Sequence, residues 1–159
     1  MLELMVIAIR LLLPFTHGID GAAITAALVL AQRAEATLVL LSLLHQAQTP
    51  GKRGLRLPDI EQSRDFLAFV QHKAARAGVP VERLEVYTGD PVRSIRAIAQ
   101  EMECAGIILC VRRGTGVLLA TSEVKQLLED EHIPLYLVLL RSKGSAFSLL
   151  RWFARWLGR

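Results

Sequence analysis

Apolar and polar residues alternate along this chain in blocks rather than singly. Val6–Leu13 is a nearly continuous apolar run, as is Thr37–Leu44. Runs of this length suit strands buried on both faces, in which no position is left for solvent. Between them, Ala22–Arg33 carries Ala23, Ala26, Ala27 and Leu30 at helical spacing, with Asp20 placed to cap the helix start. A second helix opens at Pro58-Asp59, with Ile60, Phe66, Leu67, Val70 and Ala74 on one side. Gly78 and Pro80 end it. Val81–Thr88 alternates Val81, Leu84 and Val86 with Glu82, Arg83 and Glu85, the pattern of a strand near a sheet edge. Gly89-Asp90-Pro91 is a turn into a helix whose apolar face is Val92, Ile95, Ile98, Ala99 and Met102. Gly106–Val111 is a short apolar strand and Arg112–Gly116 a basic, glycine-containing loop. Thr121 or Ser122 caps another helix, and Pro134–Leu140 is the last strand.

The order is β-α-β-α-β-α-β-α-β. It predicts a three-layer α/β/α domain, Rossmann-like, around a five-stranded parallel sheet with right-handed crossovers. Ligands of such sheets bind beyond the carboxyl ends of the strands, where strand order reverses. Three loops are therefore candidates: 14–20, 45–57 and 112–121.

Composition changes this picture little for the body and much for the end of the chain. The sequence is 52% apolar, enough for a core in one domain of 159 residues. The longest apolar stretches at the start, Leu4–Ile9 and Leu11–Phe15, are split by Arg10. A membrane span needs ~20 such residues. Met1-Leu2-Glu3 lacks the basic region of a signal peptide, so the cytoplasm is the expected location. All 15 acidic residues precede residue 132, whereas Arg141, Lys143, Arg151, Arg155 and Arg159 follow it. The basic excess belongs to the tail, and the body offers no face for nucleic acid.

The chain accordingly divides into a domain over residues 1–142 and a tail over 143–159. On a helical wheel Ser148, Arg151, Arg155 and Arg159 share one sector, and Leu149, Leu150, Trp152, Phe153, Trp156 and Leu157 fill the rest. This predicts an amphipathic C-terminal helix. Arg151, Trp152, Phe153, Arg155 and Trp156 would contact the chain's own body, a partner subunit, another protein, or the inner face of a membrane.

Chemistry is sparse. Cys104 and Cys110 have no CxxC spacing and read as small buried residues, and no His or Cys cluster suits a metal. His17 has no recognisable partner, and Ser122 lies in no G-x-S-x-G elbow. No catalytic set is expected, so the domain reads as a binding protein rather than an enzyme.

Several signatures in order resemble the universal stress protein family. They are the opening strand into Leu12-Leu13-Pro14-Phe15, the helix Ala22–Arg33 followed by Ala36-Thr37-Leu38-Val39-Leu40-Leu41, Gly78-Val79-Pro80-Val81, Gly89-Asp90-Pro91, and Thr121-Ser122 leading to His132-Ile133-Pro134-Leu135. The resemblance spans roughly residues 5–140 and implies an adenine nucleotide alpha hydrolase-like fold, a role in the stress response, and a homodimer paired through Pro134–Leu140. Members that bind ATP carry an Asp at the end of the first strand and a Gly-x-x-Gly, nine residues, Gly-Ser or Gly-Thr motif after the fourth. Here Thr16 replaces the Asp, Cys110 stands near the first glycine, Arg113 or Gly114 near the second, and Thr121 replaces the third. Ser122 keeps its type. The resemblance thus implies a branch that has lost strong ATP binding. The alternatives are an ATP or AMP sensor that uses Thr16, Arg112, Arg113, Gly114, Thr115, Gly116, Thr121 and Ser122, or a regulatory module attached to a membrane or transporter through the C-terminal helix.

Overall fold

The computed structural model describes residues 8–46, 57–130, 132–141 and 147–150. Strand β1 (Arg10–Phe15) leads to helix α1 (Gly21–Arg33), β2 (Thr37–His45), α2 (Leu57–Ala77), β3 (Val81–Thr88) and α3 (Pro91–Glu101). Then follow β4 (Gly106–Arg112), β5 (Thr115–Val117), α4 (Thr121–Leu128), β6 (Leu135–Leu140) and β7 (Phe147–Leu150).

The sheet runs β3-β2-β1-β4-β6-β7, with β5 paired only to β4. The β2–β3, β1–β2, β1–β4 and β4–β6 pairings are parallel. The five parallel strands are those expected. Two short antiparallel strands, β5 and β7, enlarge the sheet beyond five.

Successive residues of the central strands alternate between two cores. Leu11, Leu13 and Phe15 join Leu38, Leu40 and Ile108 against α1 and α2. Leu12 joins Val39, Leu41, Ile107 and Leu109 against α3 and α4. This two-sided burial is why these runs contain almost no polar residue. Two serines are the exception. Ser42 and Ser63 are fully buried and 2.6 Å apart, and Ser63 Oγ donates to Glu85 Oε2 at 2.9 Å. Ser42 therefore donates to Ser63, and the relay satisfies both hydroxyls while tying α2 to β2 and β3. Cys110 is buried, and its surroundings push the thiol up to about 12, so it is an inert core residue. Cys104 is half-buried.

Three boundaries differ from the sequence reading. β1 begins at Arg10, four residues beyond the expected Val6, and residues 1–7 lie outside the described residues. Arg10 is tolerated in the strand because it sits at the strand's start and pairs with Glu82 at 3.1 Å. The loop expected over Arg112–Gly116 is instead the β4–β5 hairpin. The start of the expected C-terminal helix is strand β7, set antiparallel to β6 with Leu137 opposite Leu150 and Leu140 opposite Phe147. A sheet edge offers unpaired backbone groups, and pairing with it overrides a helical side-chain pattern. Arg151, Trp152, Phe153, Arg155 and Trp156 lie outside the described residues.

The rings of Phe15 and Phe66 stack at 4.1 Å between centroids, and both side chains are fully buried. Phe66→Ala should lower unfolding stability by about 3–5 kcal/mol through lost burial and a residual cavity. Urea denaturation followed by circular dichroism measures this.

A self-satisfied cleft at the switch point

β1 has β2 on one side and β4 on the other, and the chain leaves it for α1. The crevice between the carboxyl ends of β1 and β4 is thus the place where a doubly wound sheet binds ligands. A cleft of about 550 Å³ lies there, lined by His17, Asp20, Arg112, Arg113, Thr115 and Gly116 among others.

Asp20 caps α1 as the sequence suggests. Its Oδ1 accepts from Ala23 N at 3.0 Å. The same carboxylate also receives Arg112, from the end of β4. Nη1 reaches Oδ2 at 2.5 Å and Nη2 donates to Oδ1 at 3.2 Å, a two-point pair. Arg112 Nε donates to Arg141 O at 3.4 Å. The Arg112 guanidinium holds the Asp20 carboxyl below its ordinary value of 3.8, against an opposing effect of burial.

Arg113 and Gly114 form the tip of the β4–β5 hairpin. Both have positive φ, 51° and 75°, and Arg112 faces Thr115 across the ladder. These are the features of a type I′ turn, which the glycine permits. The chain then folds back on itself. Leu118, at φ 70°, turns its carbonyl to accept from Thr16 N at 2.8 Å and His17 N at 3.3 Å. Gly116 N donates to Thr121 Oγ1 at 2.9 Å. A Cβ on Gly116 would come within 2.5 Å of Leu119 O, so this glycine is required by a close approach of the backbone.

The N-cap of α4 is Ala120, one residue before the expected Thr121 or Ser122. Ala120 has no side-chain acceptor to offer the helix, and only the reciprocal half of a capping box is formed, by Glu123 reaching back to the Ala120 N–H. Glu123 Oε1 accepts from Ala120 N at 2.7 Å and from Thr16 Oγ1 at 2.8 Å. A carboxylate at this position also meets the favourable potential of the helix start.

The structure therefore brings Arg112, Arg113, Thr115 and Gly116 to one cleft. Thr16 lines a smaller neighbouring space of about 200 Å³ with His17, His45, Asp59 and Glu123. Thr121 supports the loop, Gly114 forms the hairpin tip, and Ser122 is exposed on the first turn of α4. Sequence reasoning missed the role of Glu123, although a glutamate three residues after a helix start is a capping signal. It also missed the Asp20–Arg112 pair, which joins residues 92 positions apart. Among the described residues no group of three or more His, Cys, Asp or Glu could hold a metal ion, and no helix is long and apolar enough to cross a membrane.

A parallel sheet with helices on both faces, and a cleft where β1 and β4 part, defines a doubly wound α/β binding domain. The model of the universal stress protein family matches residues 12–138, and the chain belongs to that family. A universal stress protein family structure from Burkholderia pseudomallei is 24% identical, with a TM-score of 0.59 over 79% of this chain and 93% of the other. The Archaeoglobus fulgidus universal stress protein in complex with dAMP is 16% identical, with a TM-score of 0.64 over 83% and 98%. A family member from Arabidopsis thaliana with AMP bound is 13% identical, with a TM-score of 0.53 over 86% and 93%. No curated protein matches the sequence.

Several backbone donors around the cleft are already engaged within the chain. Phosphate cradles are built from backbone N–H groups left open at a loop and helix start. Here the N–H groups of Thr16, His17, Gly116 and Ala120 all donate to acceptors within the chain. The Glu123 carboxylate adds a negative charge beside the start of α4.

Two outcomes test this arrangement. Asp20→Asn keeps a capping acceptor but removes the charge. Because the folded carboxyl titrates below its ordinary value, its pairing stabilises the protein above about pH 4 and is lost as pH falls through the folded value. The variant should be less stable at neutral pH and show a flatter stability curve below pH ~4, read from denaturant midpoints across pH. Gly116→Ala should cost about 1–3 kcal/mol, since backbone rather than a mobile side chain must yield.

Proposed function

We propose that this universal stress protein acts as a regulatory binding protein in the stress response without holding ATP. The observation that carries the reading is the Glu123 carboxylate seated on Ala120 N and Thr16 Oγ1, at the helix start that a phosphate would need. An incoming nucleotide would have to displace that carboxylate and free the backbone donors around it. Arg112, the most suitable cation, is already engaged by Asp20. Two structural neighbours are solved with dAMP and with AMP. In this chain the corresponding chemistry is supplied from within, so the conformation of the cleft does not wait on a ligand. Asp20 is engaged by Arg112, and Glu123 by Ala120 and Thr16, which supports a non-catalytic role.

The test is direct. The protein is purified without added nucleotide and denatured, and the supernatant is analysed by mass spectrometry. No stoichiometric nucleotide should be released, and calorimetric titration with ATP or AMP should show no saturable heat. Stoichiometric ATP or AMP in the supernatant would overturn the reading.

A further inference from the structure

α1 and α2 cover one face of the sheet, and a groove of about 300 Å³ lies between them. Its α1 wall is Thr25, Leu28, Val29 and Gln32, which share one stripe of the helix at i, i+3, i+4 and i+7. Two hydrogen bonds join the helices across its ends. Lys73 Nζ donates to Thr25 Oγ1 at 3.2 Å, and Gln32 Nε2 donates to Ala77 O at 3.3 Å. Leu28 and Val29 form the apolar floor between these bridges. The α2 wall carries two cations, Lys73 and Arg76, and no acidic residue lines the groove. Neither cation forms an ion pair among the described residues. Lys73 rests instead against the Thr25 hydroxyl and over the Phe69 ring, 5.1 Å from its centroid.

We propose that this groove binds a free medium-chain carboxylate, its alkyl chain on Leu28 and Val29 and its carboxylate between Lys73 and Arg76. Charge is the first argument. Lys73 and Arg76 lie three positions apart on α2, neighbours of like sign. An anion between them replaces that repulsion with two charge-assisted contacts, each stronger than the bond Lys73 makes to a neutral hydroxyl. Length is the second argument. Thr25 to Gln32 is seven steps of helix, roughly 10 Å, the reach of about eight carbon–carbon bonds. A mostly apolar pocket with a few polar groups at one side suits a small amphipathic ligand. The chain's own tail is the wrong occupant, since Arg141, Lys143, Arg151, Arg155 and Arg159 bring the same sign of charge and no acid. The groove shares no lining residue with the cleft between β1 and β4.

The experiment follows the backbone amides of the isotope-labelled full chain by NMR as sodium decanoate is added. Saturable shifts should centre on Thr25 to Gln32 and Lys73 to Ala77. Decyltrimethylammonium has the same chain and the opposite charge, and acetate has the charge without the chain. Both should move these amides little. Lys73→Gln and Arg76→Glu change the rim of the groove and leave the core untouched. Each should weaken decanoate binding by roughly tenfold, and unchanged amide positions elsewhere show that the variant is folded. The proposal fails if no saturable shift appears below the concentration at which decanoate forms micelles. It fails equally if the shifts gather in the β1–β4 cleft or in residues 143–159, if decyltrimethylammonium binds as well as decanoate, or if both folded variants bind like the unmodified chain.

Discussion

A strand covered by helices on both faces has no polar side, so whatever chemistry it carries is displaced to its carboxyl end. β1, β2 and β4 are under that constraint here. Leu11, Leu12 and Leu13 are all essentially inaccessible, although they point alternately to opposite cores. Alternating burial at ~25 cal/mol per Å² makes these strands the least negotiable part of the fold. It also fixes where β1 and β4 end and so where the cleft must open. Arg112 is the first β4 residue able to reach solvent with a charge, and Thr16 is the first residue past β1.

At that opening the protein's own groups meet one another. Four backbone donors find the Leu118 carbonyl, the Thr121 hydroxyl and the Glu123 carboxylate. Thr16, a neutral hydroxyl just past β1, lets Glu123 approach without like-charge repulsion. The tight hairpin at Arg113 and Gly114 draws Leu118 back onto Thr16. Each of these contacts depends on the others, since an unpaired buried donor would cost more than the hydrogen bond that satisfies it.

The edges of the sheet extend the same logic. β3 is guarded by its own charges, while β6 has none and is covered by a later segment of the chain. In this chain β7, from within the same polypeptide, meets the need.

Much of this was legible in the order of residues. Unbroken apolar runs identified two-sided strands, and Asp20 and Asp90 announced helix starts. Those features are local, because burial period and capping are decided within a few residues. The Asp20–Arg112 pair, the reach of Glu123 to Thr16 and the pairing of β7 with β6 were decided only by tertiary structure. The first two join groups 92 and 107 positions apart, and no local pattern encodes such a meeting. The third reversed a local pattern outright: residues 147–150 carry helical spacing, yet the open backbone of β6 offered partners that a short isolated helix could not match.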